Sequence, residues 1–107
     1  MFWRKKRKTD PFANGRPEFT SGALTVKSVF AITGRGTVAT GIVDYGRLVT
    51  GQPVTVTRYG QMVVAATIDG VEQFRATTDV AETGAEVGLL LRGVERSQVQ
   101  PGDVITG

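Results

Sequence analysis

Val29-Phe-Ala-Ile-Thr-Gly-Arg-Gly-Thr-Val-Ala-Thr-Gly41 is the stretch on which the fold turns. Two runs rich in β-branched and aromatic residues meet at the corner Thr33-Gly34-Arg35-Gly36. Glycine at two corner positions admits positive φ and close approach of another backbone. The flanks, Val29, Phe30 and Ile32 before the corner and Thr37, Val38, Thr40, Ile42 and Val43 after it, suit a half-buried pleated surface. The stretch predicts a β-hairpin.

The same glycines fail as a phosphate loop. Gly34-x-Gly36 has no third glycine where G-x-G-x-x-G requires one, and β-branched residues follow where a helix should open. Gly36 and Gly41 have the outer spacing of G-x-x-x-x-G-K-[ST], but Ile42-Val43 stand where Lys and Ser/Thr are needed. A kinase glycine loop would need its lysine and catalytic loop elsewhere, and the chain supplies neither.

Outward from the hairpin, short apolar runs alternate with turn signals. Leu24–Ile32 and Thr37–Asp44 read as strands, Tyr45-Gly46 and Thr50-Gly51 as turns around a brief Arg47–Val49 segment. Pro53–Arg58 sets Val54 and Val56 against Thr55 and Thr57, the period of a strand with one buried face. Tyr59-Gly60 turns into Gln61–Ile68, and Asp69-Gly70 turns again before a strand over Val71–Arg75. The threonine-rich Ala76–Gly84 has no period and reads as a loop. Val87-Gly-Leu-Leu-Leu91 is apolar on both faces and predicts a central strand. One helical turn over Glu95–Gln98, a turn at Pro101-Gly102 and a strand over Asp103–Thr106 complete the pattern. Six or so short strands without a long helical period predict a small antiparallel barrel or sandwich, and closure into a barrel would remove exposed edges.

A chain of 107 residues suits one domain with a modest core. It contains no cysteine and no histidine, which removes disulfides, thiol chemistry, the usual zinc sites and histidine acid–base schemes. With three serines and no such base, no common nucleophile–base pair can be assembled, and the chain reads as a non-enzyme without metal or cofactor. No apolar run approaches the roughly 20 residues that span a membrane, and Met1–Lys8 lacks the apolar core of a secretory signal. The absence of cysteine points to the cytoplasm.

The net charge of +3 is unevenly distributed. Residues 1–16 hold six Lys/Arg and one Asp, a net +5, while residues 17–107 hold seven Lys/Arg and nine Asp/Glu, a net −2. Residues 1–20, with breakers at Asp10-Pro11, Asn14-Gly15 and Arg16-Pro17, read as a flexible, disordered basic arm ahead of a domain over 21–107. Arg4, Lys5, Lys6, Arg7 and Lys8 could be only a solvated terminus, or could track RNA phosphate. Phe2 and Trp3 beside them also suit an anionic lipid surface.

Leu24–Gly41, Asp69-Gly-Val-Glu-Gln-Phe-Arg75, Val87-Gly-Leu-Leu-Leu-Arg-Gly-Val94 and Pro101-Gly-Asp-Val-Ile105 together resemble the second domain of bacterial elongation factor Tu, in order and spacing, over about residues 24–107. The resemblance implies a closed six-stranded antiparallel β-barrel. The GTPase domain and third barrel of that family are missing from this sequence, so the resemblance implies no GTP binding and a stand-alone second domain. In the family the barrel holds the 3′-terminal adenosine of aminoacyl-tRNA, and it also contacts the GTPase domain, the ribosome and exchange factors.

Ile32, Gly34, Val38 and Leu90 match the apolar and glycine lining of that pocket; Glu72 matches the acid that bonds the terminal ribose, and Arg75 the arginine near the aminoacyl ester. Two positions depart from the family pattern: Lys27 replaces an acid and Glu86 replaces an asparagine. Each residue also has a plainer role. Ile32, Val38 and Leu90 individually suit the barrel core, Glu72 and Arg75 could pair with each other on the surface, and Arg92 could cap a neighbouring turn. The resulting expectation is a binding module for a tRNA acceptor or other RNA end, with a protein-docking module or a membrane-surface domain as alternatives.

Overall fold

The computed structural model describes residues 21–73 and 76–107. The basic arm, including Arg4, Lys5, Lys6, Arg7 and Lys8, and the expected site residue Arg75 lie outside the described residues.

Eight strands run in the order β1 Gly22–Ile32, β2 Gly36–Val49, β3 Pro53–Arg58, β4 Gln61–Gln73, β5 Ala76–Thr78, β6 Val80–Glu82, β7 Glu86–Arg92 and β8 Val104–Thr106. A 3₁₀ turn, Arg96–Gln98, precedes the last. Every pairing is antiparallel. Neighbours run β1-β8-β3-β4-β7-β2, and β2 pairs back onto β1, which closes a six-stranded barrel. The choice between barrel and sandwich is decided by that last pairing, the predicted hairpin, which runs from Gly22↔Gly46 to Ile32↔Gly36 with two register shifts.

The interior follows the period-2 pattern. Leu24, Val26, Ala39, Val43, Val54, Val56, Ile68, Val71, Val87, Leu89, Leu91 and Ile105 all lie in the buried core. Complete burial of each Val, Leu or Ile stabilises the fold by about 1.5–3 kcal/mol before chain entropy is charged against it. Gly41 is required where β2 crosses β1. A Cβ there would fall on the carbonyl oxygen of Thr25 and 2.8 Å from Leu24 Cδ2.

The segment after β7 closes one end of the barrel. Val94 and Val99 are buried on either side of the 3₁₀ turn, and the buried Thr37 hydroxyl donates to the Val94 carbonyl at 2.9 Å. Arg58 Nε donates to Asp103 Oδ1 at 2.8 Å, and an Arg58 terminal nitrogen donates to Oδ2 at 2.9 Å. Asp103 also accepts from the Gln100 backbone N–H at 3.0 Å. The Arg58 hydrogen bond is the main cause holding the Asp103 carboxyl below the usual aspartate range, against the opposing effect of burial.

Four sequence expectations change. Tyr45-Gly46 is no turn: β2 runs unbroken through it to Val49 and absorbs the Arg47–Val49 segment. Asp69-Gly70 is a bulge inside β4, with the register shift between Ile68 and Gly70 on the β7 side. Ala76–Gly84 contains two short strands, β5 pairing β4 and β6 pairing the end of β2. The barrel strands are also longer than expected, with β1, β2 and β4 at 11, 14 and 13 residues.

Candidate functional site

The barrel's outer surface carries the candidate residues in cross-strand rows. Inward Thr37 and Ala39 leave Val38 on the outside of β2, and inward Leu89 and Leu91 leave Leu90 on the outside of β7. Register aligns Phe30 of β1, Val38, Leu90 and Gly70 of β4 in one row. The next row along is Ser28, Thr40, Gly88 and Glu72, and beyond it lie Thr25, Ile42 and Glu86. Residues facing each other across strands share a face and touch. Val38 and Leu90 are therefore wall residues, half-buried on the outside, and Ile32 is exposed at the end of β1. None of the three belongs to the core.

Gly88 makes the concavity. It lacks a side chain where its neighbours Thr40 and Glu72 have them, so a shallow groove of about 370 Å³ opens over it, lined by Thr40, Glu72, Glu86, Val87 and Gly88. A Cβ on Gly88 would sit 3.1 Å from Val38 Cγ1 and 3.7 Å from Thr40 Cγ2. The apolar strip Phe30, Val38 and Leu90 borders this groove. Leu90 Cδ1 also lies over Gly36, where a Cβ would be 3.7 Å away, and Gly36 faces Ile32 across the hairpin. Ile32 thereby extends the strip toward the corner. Gly34 stands at the tip, where an added Cβ would meet open space.

The two charge departures in the sequence are one feature in space. Lys27 Nζ and Glu86 Oε2 are 3.2 Å apart, both side chains exposed. The lysine enters at a β-bulge, where the β1 register shifts between Val26 and Ser28. Glu72 is exposed and meets Arg35 of the hairpin corner at 3.9 Å, too far for a hydrogen bond. Exposed pairs of this kind contribute about 0–1 kcal/mol each, so they orient carboxylates more than they stabilise the fold. Glu72 keeps acceptor oxygens available over the groove. Arg92, expected as a possible turn cap, instead reaches Asp69 at 3.1 Å.

Val38, Leu90, Glu72, Glu86 and Lys27 are thus brought together in adjacent rows, with Ile32 at the margin. Gly88, Thr40 and Phe30 lie in the same rows, although the sequence reading assigns them no part in a site. The available signal was Gly88 itself, since a glycine inside an apolar strand often marks close approach of another group. Among the described residues no three potential ligands are grouped to hold a metal ion, and no helix is long and apolar enough to cross a membrane.

The family model for elongation factor Tu domain 2 matches residues 36–106, about two thirds of the chain. The chain belongs to the elongation factor Tu domain 2 family. The matched span begins at the hairpin corner and contains β2 to β8, so it includes Val38, Gly88, Leu90, Glu72 and Glu86. Elongation factor Tu domain 2 is a non-catalytic β-barrel, and membership relates this chain to translation factors.

Proposed function

We propose that this domain is a non-enzymatic, cytoplasmic binding module that takes the 3′ end of an RNA, such as a tRNA acceptor, into the groove over Gly88. The observation that carries the reading is the glycine floor at Gly88 with Glu72 beside it across the sheet and the Val38–Leu90 strip in the adjacent row. An unpaired base packs on apolar wall residues, while a carboxylate accepts from the ribose hydroxyls that distinguish RNA from DNA. The Lys27–Glu86 pair keeps the far end of the groove close to neutral. The cations Arg4, Lys5, Lys6, Arg7 and Lys8 supply phosphate attraction from the arm.

Fluorescence titration with a CCA-ended RNA tests this. Glu72→Ala is expected to weaken binding about tenfold, and Gly88→Val to abolish it by filling the floor, with circular dichroism unchanged. Deletion of residues 1–16 should lower the dependence on salt. Binding that ignores both groove substitutions would refute the proposal.

A second reading has its own observation. Phe30 and Ile32 are 52% and 41% exposed, side by side at the end of β1, and form an apolar edge suited to protein docking on a translation factor or ribosome. A complex recovered from extract that survives nuclease treatment and is lost in Phe30→Ser supports this reading over RNA.

A further inference from the structure

Two further concavities continue the groove around the barrel wall. Ser28 and Thr40 are hydrogen-bonded through their hydroxyls at 2.9 Å. Thr40 lines the groove over Gly88, whereas Ser28 lines a second hollow of about 380 Å³ with Val29, Arg96, Ser97, Gln100 and Pro101. Gln100 and Pro101 in turn line a third, beside Arg58 and Tyr59. The second and third hollows thus share Gln100 and Pro101, and the first adjoins the second across the Ser28–Thr40 pair. From Gly88 to Ser28 is two strand spacings, about 10 Å, within reach of the next nucleotide along a strand.

The chemistry changes along this path. Lys27, Arg35, Arg47, Arg58 and Arg92 each face a carboxylate, but Arg96 has none within 4 Å among the described residues. It lines a hollow whose other polar residues are Ser28, Ser97 and Gln100. A delocalised cation with neutral donors is a donor set for a phosphate diester. Arg58 does not compete, because Asp103 holds it on two nitrogens. At the far end Tyr59 is 98% exposed, and its φ of 53° places a bulky residue in the left-handed region at the β3–β4 corner. A fully exposed aromatic ring offers a face on which a base can stack.

We propose that these hollows form a single-strand track: Arg96, with Ser28 and Ser97, binds a backbone phosphate just 5′ of the nucleotide in the Gly88 groove, and Tyr59 stacks a base farther along. The inference rests on the groove reading and extends it by assigning the strand's direction around the barrel, from β7 across β2 and β1 to the β3–β4 corner.

Titrations with adenosine, a CCA trinucleotide and a CCA-ended hexanucleotide at several salt concentrations test it. Arg96→Gln should leave adenosine binding unchanged, weaken the trinucleotide about threefold to tenfold and lower its salt slope by about 0.7, the value for one phosphate on a single strand. Tyr59→Asn, which tolerates the left-handed conformation, should weaken only the hexanucleotide, about fivefold. If Arg96→Gln leaves the trinucleotide affinity and salt slope unchanged while Glu72→Ala weakens it, the track is wrong and the groove stands. If none of the three ligands binds the wild-type protein, both readings fall.

Discussion

At the residue scale, Asp103 is the carboxylate with most at stake. Its side chain is 1% exposed and satisfied by three hydrogen bonds, two from Arg58 and one from the Gln100 N–H. Asp103→Ala would leave that N–H and a half-buried guanidinium without their acceptor, a loss of roughly 2–3 kcal/mol measurable by urea unfolding. The pH dependence has a definite sign. A carboxyl whose folded-state pKa lies below its unfolded value gives its full stabilisation above the unfolded pKa, about pH 4, and loses it as pH falls through the folded value. Asp103→Asn should therefore flatten the acid side of the stability–pH curve below about pH 4 and change little of its shape above. Thr50 presents the opposite case. Its Oγ1 is the one buried side-chain N or O atom among the described residues without a hydrogen-bond partner. Thr50→Val should raise the unfolding free energy by about 1 kcal/mol.

At the scale of elements, the β1–β2 pair closes the ring, and Gly41 is one point where the two strands approach too closely for a side chain. Gly41→Ala would drive a methyl into the Thr25 carbonyl and Leu24, and should cost about 2–3 kcal/mol, seen as a lower thermal midpoint. Individual strands were legible to different depths. The hairpin corner was readable because Gly34 and Gly36 coincide with a change of apolar run on both sides. The length of β2 was not. Tyr45-Gly46 has the composition of a turn, yet Gly46, at φ +69°, serves a coil within the strand, where the Ser21 carbonyl packs against it. Asp69-Gly70 misled in the same way, since a bulge and a turn draw on the same residues. Strands β5 and β6 have no period to read, because each is defined by its pairing with a distant partner, β4 or the tail of β2. For the site, Val38, Leu90 and Glu72 came from the resemblance, and residue type alone placed the first two in the core. The pairing of Lys27 with Glu86 and the floor at Gly88 depend on register across β1, β2 and β7, which no local pattern contains.

At the scale of the whole molecule, topology governs behaviour. The barrel is built from antiparallel pairings of which several join distant parts of the chain, β1 with β8 and β3 with β8 among them. Such contact order predicts folding in milliseconds to seconds, with stopped-flow fluorescence as the check. Hydrogen exchange should divide the molecule the same way. Amides of β7 and the Thr37–Ile42 half of β2, paired on both sides, are expected to be slowest, and those of β5 and β6, each paired on one side, fastest.

The groove exists because one strand residue lacks a side chain, not because loops part around a hole. Its opposing sides are the two staves that flank β7 in a sealed cylinder, locked at fixed spacing by the ladder. Such a mouth can neither widen for a bulkier guest nor clamp down on a smaller one. Selectivity must then be steric and immediate, and heat should erase recognition and architecture at the same temperature.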